Sequence, residues 1–469
     1  PRHFTGPAGG GDGIARIDQI TDRNGHWITF DYDTEGTPTR ITHHSGYRLL
    51  LTTDGDRITA LHLAGGSPDG SDLELVRYGY TDGNLTAVTK SPSSPAPGEE
   101  GSTGRALRFT YDERARVTSW TDTNGRRYSY TYDDRDRCIA EGGEAGHIAL
   151  TIDYGEPDPA TGHRTTTVTT AEGHVSRYLI NDSCQVIAET DPLGNTTRTE
   201  YDRYDRLLSH TDPLGRTTRY AYDTSGRLVS ITRPDGRTAT AEYNDLGLPT
   251  VITGPDGAVW RQEYDERGNR ISVTDPTGAT TRYGYDSRGH LATITDALGN
   301  TTHIRCNAAG LPVEITDPPS LPALGQEGPT SLPALGQEGP GAVTRYRRDS
   351  FGRVTAITDP LGNTTRFEWT VEGKLARRTD PDGTTQTWTY DGEGNCTSHT
   401  DAGGGVTTYE YTHFDLLAAR TDPDGVRYEF THDAALRLTQ VTNPQGLTWT
   451  YTYDPAGRLV SETDFDGRT

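Results

Sequence analysis

The residues of this chain that could do chemistry are, first, paired carboxylates. Asp380 and Asp382 in "DPDG", with Asp422 and Asp424 in a second copy, offer the hard oxygen ligands that Ca²⁺ prefers. "DYDTEG" at 31–36 and "GGGDG" at 9–13 look similar, but neither fills the ligand pattern of an EF-hand or a nonapeptide β-roll. Pro and Gly beside each "DPDG" pair already demand a turn, which Asp caps through its own side chain. Plain turn chemistry is the expectation there.

Sulfur and imidazole are the next candidates. Cys138, Cys184, Cys306 and Cys396 include no CxxC pair, so free thiols are expected over a disulfide framework. His43 and His44 lie in a turn, His290 replaces an Arg and His432 adjoins an Asp. All read as exposed strand ends, and no two share the spacing of a zinc site. No nucleophile elbow, phosphate loop or dinucleotide fingerprint is present. The sequence therefore assigns no catalytic, cofactor or metal residue, and no cofactor; an enzyme is disfavoured because no acid, base and nucleophile converge.

Composition points to scaffold. Of 469 residues only 31% are hydrophobic, while Gly 55, Pro 27 and Tyr 25 are strand and turn residues. A formal net charge of −22 repels phosphate backbones and anionic lipid heads, which argues against nucleic acid as a partner. No stretch reaches eighteen apolar residues, so no membrane insertion by this segment is expected. Without a Met or a signal-peptide pattern, the chain reads as a piece of a longer protein whose targeting signals lie elsewhere.

What positions these residues is a repeat. The Thr that opens each "TDPxG"-like turn falls at 190, 211, 232, 253, 274, 295 and 316, then at 358, 379, 400, 421, 442 and 463. Within each run every step is 21 residues. Residues 121–469 read as a regular array, and residues 1–120 as degenerate copies with a linker at 91–104. An inserted Pro/Gly-rich loop at 319–341 carries "SLPALGQEGP" twice.

One copy explains the rest. In "TTRYAYD" Thr218, Tyr220 and Tyr222 share one face of a strand, with Arg219 and Ala221 on the other. Gly226 supplies a position free to take positive φ, "RLVSI" returns, and "TRPDG" makes the outer turn. Each copy is a β-hairpin, and a lone hairpin is marginally stable with open edges. The expected fold is all-β, a continuous strip of antiparallel hairpins. A propeller would repeat every 42 residues, whereas adjacent copies here match as well as alternate ones. In this phase Cys138 and Cys396 take the Leu228 slot as small buried hydrophobes, Cys306 takes the Tyr222 slot, and Cys184 takes the exposed Gly226 slot.

The "YDxxGRL" core, as in "YDTSGRL" (222–228), "YDSRGHL" (285–291) and "YDPAGRL" (453–459), resembles the YD repeat of the Rhs family. The structural repeat positions are Tyr220, Tyr222, Asp223, Gly226 and Leu228, then Tyr283, Tyr285 and Asp286, then Tyr451, Tyr453, Asp454 and Gly457. In that family, and in the related teneurins and C components of bacterial ABC toxins, such strips spiral into a hollow shell. The resemblance implies a wall segment of a secreted or cell-surface bacterial shell that encloses a C-terminal toxin for delivery in bacterial competition. Its partners would be the flanking segments of the same protein and that toxin. The family's self-cleaving aspartate pair has an imitation in Asp191 and Asp212, but the same spacing recurs along the array, so this pair is part of the repeat. Roughly seventeen hairpins, or about 34 strands at ~4.8 Å each, give a strip ~160 Å long, on the order of one turn of such a shell. The alternative is a cell-surface or secreted binding module for carbohydrate or protein ligands, with Trp260, Trp369, Trp388 and Trp449 as stacking platforms for a carbohydrate. They fall in strand slots shared with Tyr or Phe, where burial is the commoner outcome.

Overall fold

The computed structural model describes residues 2–5, 15–90, 106–318 and 341–469. The stretches expected as a linker (91–104) and as an inserted loop (319–341, apart from Gly341) lie outside them, as does "GGGDG". Among the described residues there is no α-helix, and the only helical turns are 3₁₀ segments at Glu144–Gly146 and His413–Asp415. Forty strands among the described residues belong to one antiparallel sheet, rather than about 34. The excess comes from the degenerate copies, which put eight strands between Arg2 and Lys90. Six hairpins follow one another from Thr196–Tyr201 to Pro312–Asp317, the meander that the period requires.

The 21-residue period has a physical anatomy. A six-residue strand, Thr217–Tyr222, meets a five-residue turn; a five-residue strand, Leu228–Thr232, meets a second five-residue turn. The unequal strands are reconciled by a β-bulge. Ala221 faces Ser230 and Tyr222 faces Leu228, so Val229 is left out of the ladder. The same shift recurs at Glu200/Tyr201, Glu263/Tyr264, Gly284/Tyr285, Glu410/Tyr411 and Thr452/Tyr453. A bulge bends its strand and raises the local twist, so a bend is written into copy after copy.

Alternation follows the sequence. Arg219 and Ala221 are exposed, while Thr218, Tyr220 and Tyr222 are half-buried. Few side chains go further: Ala60, Leu63, Ala106, Tyr128, Ala356 and Ala419 are the buried apolar residues among those described. Cys138 and Cys396, expected to be buried, are half-buried, and Cys184 is exposed as expected; all four stand as free thiols. A side chain on a single sheet packs chiefly against same-face neighbours on adjoining strands, which leaves most of them part-covered.

The described chain divides into two compact units, one of residues 1–76 with 240–385, the other of 77–239 with 386–469. In each, segments far apart in sequence meet. In the first, Asn24 Nδ2 donates to Asn269 Oδ1 at 3.0 Å, Arg23 to the Leu246 carbonyl at 3.3 Å, and Ser350 Oγ to the Gly66 carbonyl at 3.1 Å. In the second, Arg126 donates to Asp415 Oδ1 at 3.0 Å and to the Tyr411 carbonyl at 3.2 Å, and Asn124 to Asp391 Oδ2 at 3.0 Å. The Ile148 amide donates to the Ala434 carbonyl at 2.6 Å. Within each unit the strip thus returns to lie turn against turn on itself.

Candidate functional site

The element that recurs is a side-chain ladder running from copy to copy. Asp223 Oδ1 accepts the amides of Ser225 and Arg227, each at 2.9 Å, and Oδ2 accepts Arg227 Nε at 2.6 Å. The Gly226 amide closes on the Asp223 carbonyl at 3.0 Å with φ at +82°, where any Cβ would be strained. The Arg227 amide bond, with the guanidinium and the Ser225 amide, holds the Asp223 carboxyl below its usual range despite a desolvation cost. Asp202 fixes Arg206 in the same way at 2.7 Å, and the Arg206 guanidinium then lies 4.8 Å over the Tyr222 ring of the following copy. That distance is within cation–π reach.

Tyr222 completes the link by donating its hydroxyl to the Leu207 carbonyl, fifteen residues back, at 3.0 Å. Tyr285 donates to Arg270 at 2.9 Å and Tyr453 to Leu438 at 2.8 Å. Arg437 lies 5.0 Å over Tyr453, while Asp286 and Asp454 cap their turns as Asp223 does. In two copies where the slot is not Tyr the bond persists: Trp369 Nε1 donates to Val354 at 2.7 Å, and Cys306 Sγ lies 3.7 Å from the Leu291 carbonyl. Sequence reading placed the tyrosine for its bulk and missed this hydrogen bond. The signal was the interchange of Tyr with Trp and Cys, which share a donor rather than a shape.

The outer turns carry a second lock. Thr211 and Thr217 hydroxyls bond at 2.9 Å, and Asp212 Oδ1 accepts the Leu214 and Arg216 amides at 2.9 Å each. Asp191 does the same for Leu193 and Asn195, so both aspartates are occupied within their own turns. The "DPDG" carboxylates are likewise engaged: Asp382 accepts Thr384, Asp424 accepts Val426, and Asp380 and Asp422 pair with Arg378 and Arg420.

The tryptophans divide. Trp260 is 43% exposed, and with Trp449 it takes the Thr218 slot, which Tyr128 and Tyr428 also occupy. Trp369 is spent on its carbonyl, and Trp388 stacks on His399 at 4.8 Å. Trp449 lines an open groove of about 290 Å³ with Arg420, Tyr428, Phe430, Tyr451 and Phe465. Its indole N–H has no hydrogen-bond partner.

The histidines correct the sequence reading. His290 is buried, 8% exposed, and His432 is half-buried, with burial holding its imidazole below the ordinary value. Neither is an exposed strand end, because His432 takes the inward Tyr222 slot and His290 lies under a returning segment of its own unit. His26, His44 and His290 come together, their nearest ring nitrogens all within 4.8 Å of one another. A spacing rule cannot find such a group, because its members are brought together only by the strip's return.

Comparison with known proteins agrees with this geometry. The RHS Repeat family model matches eleven segments, from 111–148 through 201–238, 264–301 and 369–406 to 432–469, together more than half of the chain. A search of curated proteins found no match. Among solved structures, the chain is similar to "Crystal Structure of TcdB2-TccC3-Cdc42" (TM-score 0.65, 13% identity, 95% of this chain and 32% of that one). It is similar also to "Crystal Structure of TcdB2-TccC3" (TM-score 0.65, 15% identity, 95% and 30%) and to "Crystal Structure of TcdB2-TccC3-TEV" (TM-score 0.56, 14% identity, 95% and 32%). At these identities the likeness is one of fold, and the chain spans about a third of the length of those structures.

Proposed function

From the premise that this chain belongs to the RHS repeat family, we propose that it is a structural wall segment of an Rhs-type shell that encloses a toxin C-terminal to it for secretion and delivery in bacterial competition. The observation that carries the reading is the Asp–Arg–Tyr ladder, in which Asp202, Arg206 and Tyr222 join one copy to the next. Such a device serves a continuous wall and does no chemistry on a substrate. The return of the strip in each unit, as at Asn24–Asn269 and Arg126–Asp415, supports it. So does the likeness in fold to the TcdB2-TccC3 structures. The partners are then the flanking segments and the cargo, the setting is extracellular, and the segment is not an enzyme.

Protease protection of the full-length protein tests this. The polypeptide C-terminal to the repeats should resist a protease that readily cuts it once the shell is opened by denaturant. Equal cutting before and after opening rejects the enclosure.

A carbohydrate-binding module is the second reading, favoured by one observation, the aromatic groove with the unpartnered Trp449 indole. Loss of glycan-array binding on Trp449→Ala would support it, and no glycan binding by the parent chain would remove it.

A further inference from the structure

Two turns of the first unit break the repeat's habit in the same way. Where Asp212 and Asp223 hold an Arg four residues on, Asp22 and Asp286 are followed at that place by His26 and His290. A guanidinium in that slot has no lone pair to offer, whereas an imidazole has one. His26 Nδ1 lies 2.9 Å from Asp22 Oδ2, and His290 Nδ1 lies 3.4 Å from Asp286 Oδ2, the latter too poorly aligned to be a hydrogen bond. A carboxylate on Nδ1, as at His26, keeps the proton there and presents Nε2 as the ligand atom, the arrangement by which proteins orient metal-binding histidines.

Those Nε2 atoms are buried and lack a partner, as are both ring nitrogens of His44. His26 is the middle of a stack, 4.3 Å from His44 and 5.1 Å from His290, with interplanar angles of 15° and 18°. A tetrahedral shell with Zn–N bonds of about 2.0–2.1 Å needs nitrogens about 3.3 Å apart. The nitrogens lie within 4.8 Å of one another, so closing on one ion requires the rings to tilt out of their stack.

We propose that His26, His44 and His290 form a Zn²⁺ site that clasps residues 15–76 of this unit to its later segment. Three imidazoles suit Zn²⁺ and related first-row divalent ions and not Mg²⁺ or Ca²⁺, which take oxygen ligands. The site stands apart from the shell reading and does not depend on it.

Calorimetric titration of the untagged, chelator-treated chain with Zn²⁺ decides it, with the triple variant His26→Ala/His44→Ala/His290→Ala titrated alongside to subtract any binding by the four free thiols. The parent should take up one more Zn²⁺ than the triple variant. His290→Ala should weaken that binding at least about 100-fold and Asp22→Asn, which keeps all three imidazoles, about 10–100-fold. His303→Ala, on an exposed strand position, should leave it unchanged. If His290→Ala does not fold, Asp22→Asn carries the test. Equal uptake by the parent and the triple variant, or undiminished affinity in Asp22→Asn, overturns the proposal.

Discussion

Tyr222 is half-buried, and its hydroxyl bridges to the preceding copy. Its worth is therefore divided between packing and a hydrogen bond. Tyr222→Phe should cost about 0.5–1.5 kcal/mol, the net value of such a bond. Tyr222→Ala should cost more than Tyr222→Phe yet fall short of the about 3–5 kcal/mol of a fully buried ring. Hydrogen exchange around residues 200–245 reads both, because damage in a repeat array stays near its origin; uniform loss of protection through residue 469 would contradict this. Cys184 gives a change of opposite sign. It stands in the Gly slot at φ +64° and is exposed, so Cys184→Gly should stabilise by about 1 kcal/mol through relief of left-handed strain, measured by denaturant midpoint. A loss of stability would mean that the thiol makes a contact worth more than the strain. The Gly slot and the exposure of Cys184 were legible because backbone sterics act on a residue wherever the chain goes. The tyrosine's carbonyl partner was not, because it depends on how two copies stack.

Hairpins could be read from turn chemistry and alternation, both local. The bulge at Val229 could not, since a strand of five residues opposite one of six looks regular until the ladder is laid out. Two predictions belong at this scale. Asp223, Asp212 and Asp454 have carboxyls held below their ordinary value of 3.8, chiefly by the amide four residues on. Each carboxylate's contribution is complete above about pH 4 and is lost as the pH falls through the lowered folded value. Stability should accordingly hold as the pH approaches 4 and decline below it, whereas a decline already under way at pH 6 would show that other groups govern acid stability. The second concerns residues 319–340. Asp317 pairs with Ala342 and Thr316 with Val343, so the strands on either side of the insertion already form a ladder. Replacing 319–340 by a short turn should shift the melting temperature little, because closure entropy changes by only about 0.6 kcal/mol per doubling of length. A fall of many degrees would assign the insertion a structural part.

At the scale of the molecule, the sequence carries no sign of which copies meet after the strip returns. Asn24 and Asn269 are 245 residues apart and Arg126 and Asp415 are 289 apart, and no periodic pattern marks such pairs. That is why His44 and His290 read as unrelated strand ends and His26 drew no reading at all, while the 21-residue hairpin, a local object, was plain. If copy-to-copy links make this segment a wall around a separate polypeptide, electron cryo-microscopy of the full-length protein will show it without intermediate steps. Residues 106–318 and 341–469 should form a wall one sheet thick, with density for a C-terminal polypeptide on its enclosed side. Four-stranded radial blades, or a wall with no polypeptide enclosed, would contradict it.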